Sequence, residues 1–163
     1  RRLLLKAGAE CGIREFGFNA LLSLRLEKGF GIWSAEFTQG YTPGMTGMDR
    51  WIDWEKEQFI GQAAAIKERD GNGPAQKLVM LEIDADDADA SGYEPVWNND
   101  SLVGFVTSGG YGHTLKKSLA MALVNNDLAN ENQRLKVHVV GVEKDATIIQ
   151  ASPYDPDGSV MRV

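Results

Sequence analysis

The sequence predicts a mainly β chain with some α-helix, built around an antiparallel six-stranded β-barrel in its C-terminal part. The alternation of side chains over Leu102–Thr107 is the period-two pattern of a strand with one buried face. Short apolar segments separated by turn residues follow one another from Gln76 to Gln150. Closing such a sheet into a barrel removes the unpaired strand edges. The predicted strands are Leu78–Ile83, Glu94–Trp97, Leu102–Thr107, Lys117–Val124, Leu135–Val140 and Thr147–Gln150.

A helix and a strand are predicted before the barrel. Leu3–Phe16 places apolar residues at helical spacing, which predicts a short amphipathic helix ending near Gly12 or Gly17. Phe18–Lys28 predicts a strand, because leucines at positions 22, 24 and 26 alternate with polar residues at 23, 25 and 27.

A long irregular loop and a second helix connect these elements to the barrel. Gly29–Trp54 is rich in glycine and aromatic residues, and a loop of this length in a compact unit is usually functional or wrapped around a neighbour. Gln58–Arg69 contains an alanine-rich helical pattern that the turn residues of Asp70–Pro74 would stop.

The glycines of Ser108–Gly112 predict a bend between two barrel strands, with a bulge or a close backbone approach. A phosphate-binding loop is disfavoured, because Lys116-Lys117-Ser118 enters a strand and does not open a helix. The dinucleotide pattern G-x-G-x-x-G after a first strand is missing as well. We therefore interpret these glycines as structural.

Composition narrows the class of partner. The 163 residues carry a formal net charge of −6 without a basic run, which argues against binding to nucleic acid or to an anionic membrane. The apolar runs are too short to span a bilayer. The single cysteine, Cys11, excludes an internal disulfide and fits a reducing compartment, so we expect a cytoplasmic protein. We expect Cys11 to be a small buried hydrophobe and not a nucleophile.

No metal centre or hydrolytic triad is predicted. The acidic run Asp84–Asp89 lacks the glycine and the final glutamate of a calcium loop, so a solvated loop is the favoured interpretation. The two histidines, His113 and His138, have no further ligand at zinc spacing. No serine stands in a G-x-S-x-G turn.

Two charged residues of the predicted strand, with two tryptophans and an arginine of the following loop, predict a binding site for a flat, acidic ligand. An aromatic wall and a nearby cation suit such a ligand, and a carboxylate suits the polar edge of its ring. The alternative is that the tryptophans pack between domains while the two charged strand residues pair across strands. The candidate ligand-binding residues are Arg25, Glu27, Trp33, Arg50 and Trp51.

Several segments together resemble the glycine-cleavage T-protein (aminomethyltransferase) family. They are SLRLEKGF, FIGQAA, VWNND, LVGFVTSGGYGHTLKKSLAMALV and PYDP, which are spread over nearly the whole chain. The chain is most similar to the folate-binding C-terminal part of FAD-dependent dimethylglycine and sarcosine dehydrogenases. The resemblance implies that residues 1–54 are the tail of the folate-binding core plus a linker. It implies that residues 55–163 are the T-protein C-terminal barrel domain.

The resemblance also implies a cofactor and a reaction. The cofactor would be tetrahydrofolate, with FAD only if a flavin domain precedes this segment. The small-molecule partners would be folate and an N-methylated amine or aminomethyl donor, whose one-carbon unit is transferred to folate. The family's catalytic aspartate lies upstream of the helix that opens this chain, so no catalytic residue is assigned here. Arg1 follows no initiator methionine, and we expect a fragment that needs the upstream part of its own chain and is inactive alone.

Two departures from the family pattern leave other functions open. The family's A-R-D-S-L-R-L-E corresponds to Ala20–Glu27, where its first arginine is Leu21. Its T-P-L-E-A-G-L corresponds to Thr42–Met48, where the glutamate is Met45. The first departure favours the dehydrogenase branch. The alternatives are a non-catalytic folate-binding or structural protein of the same fold, and a folate-dependent demethylase of a sulfonium compound such as dimethylsulfoniopropionate.

Overall fold

The computed structural model describes residues 1–162. The α-helices are α1 (Arg2–Ala7), α2 (Phe18–Glu27), α3 (Pro43–Thr46) and α4 (Gln62–Asp70). The strands are β1 (Gln76–Ile83), β2 (Pro95–Asn98), β3 (Ser101–Gly112), β4 (Lys117–Asn125), β5 (Arg134–Val139) and β6 (Val142–Ile149). Short 3₁₀ turns cover Ala9–Cys11, Asp49–Trp51, Asn126–Leu128 and Val160–Arg162.

The six strands form a closed antiparallel barrel in the order β1-β4-β3-β2-β5-β6, which confirms the predicted architecture. The interior is filled by aliphatic side chains from every strand, because inward and outward positions alternate along a strand. These side chains include Leu81, Val96, Val106, Ala122, Val137 and Ile148.

The centres of β1 and β4 are buried on both sides, because α2 packs on the outside of β4 and α3 lies against β1. Met80 and Met121 are register partners that point outward, where they pack with Leu26 of α2 and with Leu119. This double burial explains why the centre of β4 reads as a continuous apolar run. Helix α2 therefore packs directly against the barrel wall.

The prediction of a strand over Phe18–Lys28 was wrong, because this segment forms helix α2. It contains no β-branched residue, and its leucine, alanine, arginine and glutamate residues favour helix. Leu22 and Leu26 are four positions apart and therefore share a helical face. The alternation over positions 22–27 arises because leucines lie on both sides of the helix.

The bend predicted at Ser108–Gly112 was also wrong, since these residues continue β3 and the turn follows them. The prediction of a bulge and of close approach was correct. The register shifts between Val106 and Ser108. A Cβ at position 109 would lie 2.3 Å from the carbonyl oxygen of Ala90, so only glycine fits there.

The N-terminal segment is less regular than predicted. Helix α1 ends at Ala7, and the 3₁₀ turn over Ala9–Cys11 is followed by Gly12, whose φ is +68°. Cys11 lies on that turn and is exposed, which corrects the expectation of a buried cysteine. Within residues 1–162, the structure has no helix with the length and apolarity needed to cross a bilayer.

Candidate functional site

Glu27 lies at the C-terminal end of α2 and fixes the turn between β3 and β4. Its side chain is buried, with 1% of its surface exposed. One carboxylate oxygen accepts hydrogen bonds from the backbone N–H groups of Thr114 (2.6 Å) and Leu115 (2.8 Å). The other oxygen accepts from the Thr114 hydroxyl at 2.9 Å. The carboxylate therefore makes its hydrogen bonds within the chain and points toward the barrel.

Arg25, the second predicted residue of α2, is also engaged inside the protein. Its Nη1 donates to the carbonyl oxygen of Phe30 (3.2 Å) and to Glu36 (3.4 Å) and lies 3.6 Å from the sulfur of Met121. Its Nε is buried without a partner among the described residues. Burial lowers the pKa of Arg25, and the negative charge of Glu36 opposes that shift.

Glu36 is the centre of this polar cluster, although it was not among the residues predicted from the sequence. It is completely buried. Besides Arg25, it accepts hydrogen bonds from the backbone N–H of Ile32 (2.8 Å), the Thr107 hydroxyl (2.6 Å) and the Ser108 hydroxyl. Consecutive strand residues normally point to opposite faces, so the bulge lets both hydroxyls reach one carboxylate. The sequence signal for Glu36 is an acidic residue between Ala35 and Phe37, in the apolar part of the loop.

Arg50 and Trp51 lie together at a cavity of about 690 Å³ between the long loop and β1. The guanidinium carbon of Arg50 is 5.6 Å from the centroid of the Trp51 ring, which is cation–π distance. The cavity is lined by apolar and aromatic residues, including Phe37, Met45, Met48, Met80 and Met121. Met45, one of the two departures from the family pattern, therefore faces the same space.

Trp33 is 83% exposed and does not line this cavity, and Trp51 is 73% exposed. The structure therefore brings together only Arg50 and Trp51 of the five predicted ligand-binding residues. It joins Arg25 and Glu27 to the barrel through separate contacts. Ligand binding by these residues stays a prediction.

A larger cavity of about 940 Å³ lies beside the acidic loop at positions 84–89. Two of the loop carboxylates have close partners: Lys144 is 3.0 Å from Asp87, and the buried Ser118 hydroxyl donates to Asp89 at 2.7 Å. The hydrogen bond from Lys144 lowers the pKa of Asp87. Over residues 1–162, no group of three or more histidine, cysteine or acidic residues has the geometry to hold a metal ion.

The segment after β6 contacts the C-terminal end of α2 through hydrogen bonds and an ion pair. The backbone N–H of Tyr154 donates to the carbonyl oxygen of Glu27 at 3.0 Å. Lys28 lies 3.1 Å from the carboxylate of Asp155, and both side chains are nearly buried. A Cβ at Gly29, where φ is +70°, would collide with the carbonyl oxygen of Ala151 at 1.9 Å. These contacts join the N-terminal segment, the barrel and the C-terminal segment at one place.

Two family models match the chain in sequence order. The GCVT N-terminal domain matches residues 2–56, and the glycine cleavage T-protein C-terminal barrel domain matches residues 76–155.

Individual relatives support the same relationship. Mitochondrial dimethylglycine dehydrogenase from Rattus norvegicus is 37% identical over 147 residues, which are 90% of this chain and 17% of that protein. An aminomethyltransferase from Caldanaerobacter subterraneus is 29% identical over 151 residues, which are 93% of this chain and 40% of that protein. The crystal structure of glycine cleavage system aminomethyltransferase T from Bartonella henselae has a TM-score of 0.85 at 24% identity. That alignment covers 96% of this chain and 44% of the Bartonella chain. This chain thus spans less than half the length of each of these relatives.

Proposed function

Since this chain belongs to the glycine cleavage T-protein family, we propose that it is the barrel-bearing part of a tetrahydrofolate-dependent one-carbon transfer module. The main support is the order of the two matched domains along the chain. Helix α2, which lies in the first, is hydrogen-bonded through Glu27 to the barrel of the second. Tetrahydrofolate would supply the N5 nitrogen that accepts the one-carbon unit. The chain's own residues would bind and enclose the cofactor.

The cavity at Arg50 and Trp51 fits the chemistry of a folate. Its volume of about 690 Å³ lies within the range of about 300–1,000 Å³ typical of small-molecule sites. Trp51 and Phe37 offer aromatic walls to flat rings, and Arg50 offers a cation to the carboxylates of the glutamate tail. Arg25 and Glu27 would support this site indirectly, by fixing α2 and the long loop against the barrel.

Within the family, we propose that the chain belongs to the dimethylglycine and sarcosine dehydrogenase branch. Leu21 replaces the family arginine, and the rat dehydrogenase is more identical to this chain than the Caldanaerobacter aminomethyltransferase. The substrate would be an N-methylated amine, and oxidation would require a flavin domain outside these 163 residues. We expect no catalytic turnover from residues 1–163 alone. The cytoplasmic location stays a prediction.

Calorimetric titration of tetrahydrofolate tests the proposal, using the polypeptide at the length that its natural reading frame encodes. We expect saturable binding that weakens about tenfold or more in Arg50→Met and Trp51→Ala, because each removes a direct contact. Trp33→Ala is the matched control, since Trp33 is also largely exposed, at 83% against 73% for Trp51, but does not line the cavity. Equal losses in all three variants would contradict the assignment of the cavity.

A second candidate is a folate-free structural protein of the same fold. Leu21 and Met45 favour it, because both replace polar residues of the family pattern and Met45 lines the cavity. This function predicts no heat on titration with tetrahydrofolate and no shift of the unfolding temperature when the cofactor is added. Binding with a 1:1 stoichiometry would exclude it.

A further inference from the structure

Methionine side chains are concentrated at the cavity between the long loop and β1. The sequence contains five methionines, and four of them line this one cavity: Met45, Met48, Met80 and Met121. Thioether side chains are polarizable and pack favourably against aromatic rings. We call these four side chains the thioether wall. They lie in the same cavity as the aromatic rings of Phe37 and Trp51.

The four sulfurs differ in how far solvent reaches them. Met80 and Met121 lie on barrel strands and pack with Leu26 of α2, so they are only 1% and 4% exposed. Met48 is 38% exposed and Met45 is half-buried, and both belong to the long loop. The thioether wall therefore has two protected members and two that a small solute can reach.

Met48 is connected directly to the turn that carries Arg50 and Trp51. Its carbonyl oxygen accepts a hydrogen bond from the backbone N–H of Trp51 at 3.0 Å, so Met48 begins the turn Asp49–Trp51. Its own N–H donates to the carbonyl oxygen of Pro43 at 2.9 Å. A chemical change of the Met48 side chain therefore takes place next to the two residues that are predicted to bind ligand.

We propose that Met48, and more slowly Met45, are sites of reversible oxidation to methionine sulfoxide, and that this oxidation weakens ligand binding in the cavity. The oxidant is hydrogen peroxide. The thioether sulfur attacks one peroxide oxygen, and the O–O bond breaks as the S–O bond forms. The other oxygen leaves as hydroxide and takes the proton of the transferred oxygen, which gives water. Sulfur is oxidised by two electrons and the peroxide is reduced by two.

The effect on binding rests on the proposed function, since the ligand is the proposed folate. A cavity that admits a folate also admits hydrogen peroxide, which is a far smaller molecule. The sulfoxide replaces an apolar, polarizable group by a polar S=O group, which loses hydration when a flat ring packs against it. Because Met80 and Met121 stay reduced, the barrel wall keeps its packing and the change is confined to the long loop.

Peptide mapping of the polypeptide at its natural length tests the oxidation sites. The protein would be treated with hydrogen peroxide for increasing times, quenched with catalase and digested with trypsin. Trypsin leaves Met45 and Met48 on one peptide and Met80 and Met121 on two others. We expect sulfoxide to form at Met48 at least about ten times faster than at the two buried methionines, which are matched controls in the same cavity. Equal rates at all four positions, or an unmodified Met48, would overturn the proposal.

Calorimetric titration of tetrahydrofolate before and after oxidation tests the effect on binding. We expect an affinity about tenfold lower after peroxide treatment, and recovery after incubation with methionine sulfoxide reductases and dithiothreitol. The double variant Met45→Leu/Met48→Leu is compared with itself before and after peroxide, and its affinity should not change. This variant keeps the exposed Cys11, whose thiol also reacts with peroxide. An equal loss of affinity in the variant would therefore overturn the proposal.

The two measurements separate this inference from the proposed function. If the unoxidised protein does not bind tetrahydrofolate, the proposed function fails and the effect on binding fails with it, whereas the peptide map still decides the oxidation sites. Unchanged affinity in a protein that carries sulfoxide at Met48 would overturn the effect on binding and leave the proposed function intact.

Discussion

Glu27 and Thr114 are 87 positions apart in the sequence and share two hydrogen bonds, at 2.6 and 2.9 Å. The carboxylate thereby supplies the acceptors for a turn whose backbone N–H groups would otherwise lack partners. Because the same glutamate ends α2, the helix and the β3–β4 turn are fixed by one side chain.

We expect Glu27→Gln to destabilise the protein by about 1–3 kcal/mol, because an amide NH₂ group replaces one of two buried acceptor oxygens. Urea unfolding measures the change in the free energy of unfolding. Glu131→Gln is the control, since Glu131 is exposed and should change stability by less than about 0.5 kcal/mol. Equal effects of the two substitutions would contradict the role of Glu27.

We expect Arg25→Met to destabilise the protein by about 3–5 kcal/mol, because it leaves the buried Glu36 carboxylate without a cation. The double variant Arg25→Met/Glu36→Gln should lose less than the sum of the single variants, since the neutral amide needs no counter-charge. A double-mutant cycle by urea unfolding measures this coupling. Strict additivity would show that the pair is not energetically linked.

The contact between Lys28 and Asp155 should make the free energy of unfolding depend on pH in the acidic range. Burial alone would raise the pKa of Asp155, but the backbone N–H of Val160 and the side chains of Lys28 and Ser159 outweigh it and lower the pKa. A carboxyl whose pKa is lower when folded stabilises the fold above its unfolded pKa of about 3.9. That contribution is lost as the pH falls through the folded pKa.

Asp155→Asn should therefore be less stable than the parent protein at pH 7, and the difference should shrink as the pH falls below about 4. Urea midpoints measured at several pH values for both proteins provide the test. The exposed Asp157 supplies a control, Asp157→Asn, for which we expect no such convergence. A difference that stays constant with pH would contradict the assignment.

The turn between β5 and β6 offers a stabilising substitution. Val140 has φ of +51° and Gly141 has φ of +79°, and a β-branched residue is strained in that left-handed region. We expect Val140→Asn to raise the free energy of unfolding by about 1 kcal/mol, because asparagine tolerates this conformation. Val142→Asn lies on the adjoining strand and should not stabilise. Thermal unfolding of both variants distinguishes relief of strain from a general benefit of a polar surface.

The barrel could be predicted because its signals are local. Alternation over Leu102–Thr107 and turn residues such as Asn98–Asp100 are visible in short windows of sequence. Helix α2 could not be distinguished from a strand in this way, since leucines on both helical sides imitate a period of two. Only the contact of Leu26 with Met80 and Met121 shows which residues it buries.

The candidate site was predictable only in part. Arg50 and Trp51 are neighbours in the chain, so composition could suggest an aromatic wall beside a cation. The partners of Arg25 and Glu27 lie 11 and 87 positions away, and no local pattern reveals them. Glu36 was missed because its role depends on a bulge that places Thr107 and Ser108 on the same side.

The contact between Lys28 and Asp155 has a consequence for synthesis. The two residues are 127 positions apart, so the aspartate is made long after the lysine has left the ribosome. Contacts of such long sequence separation form late in folding. All six barrel strands are therefore translated before the Lys28–Asp155 contact next to α2 can form. A nascent chain that stalls before Asp155 would leave the joint between its first and last segments open.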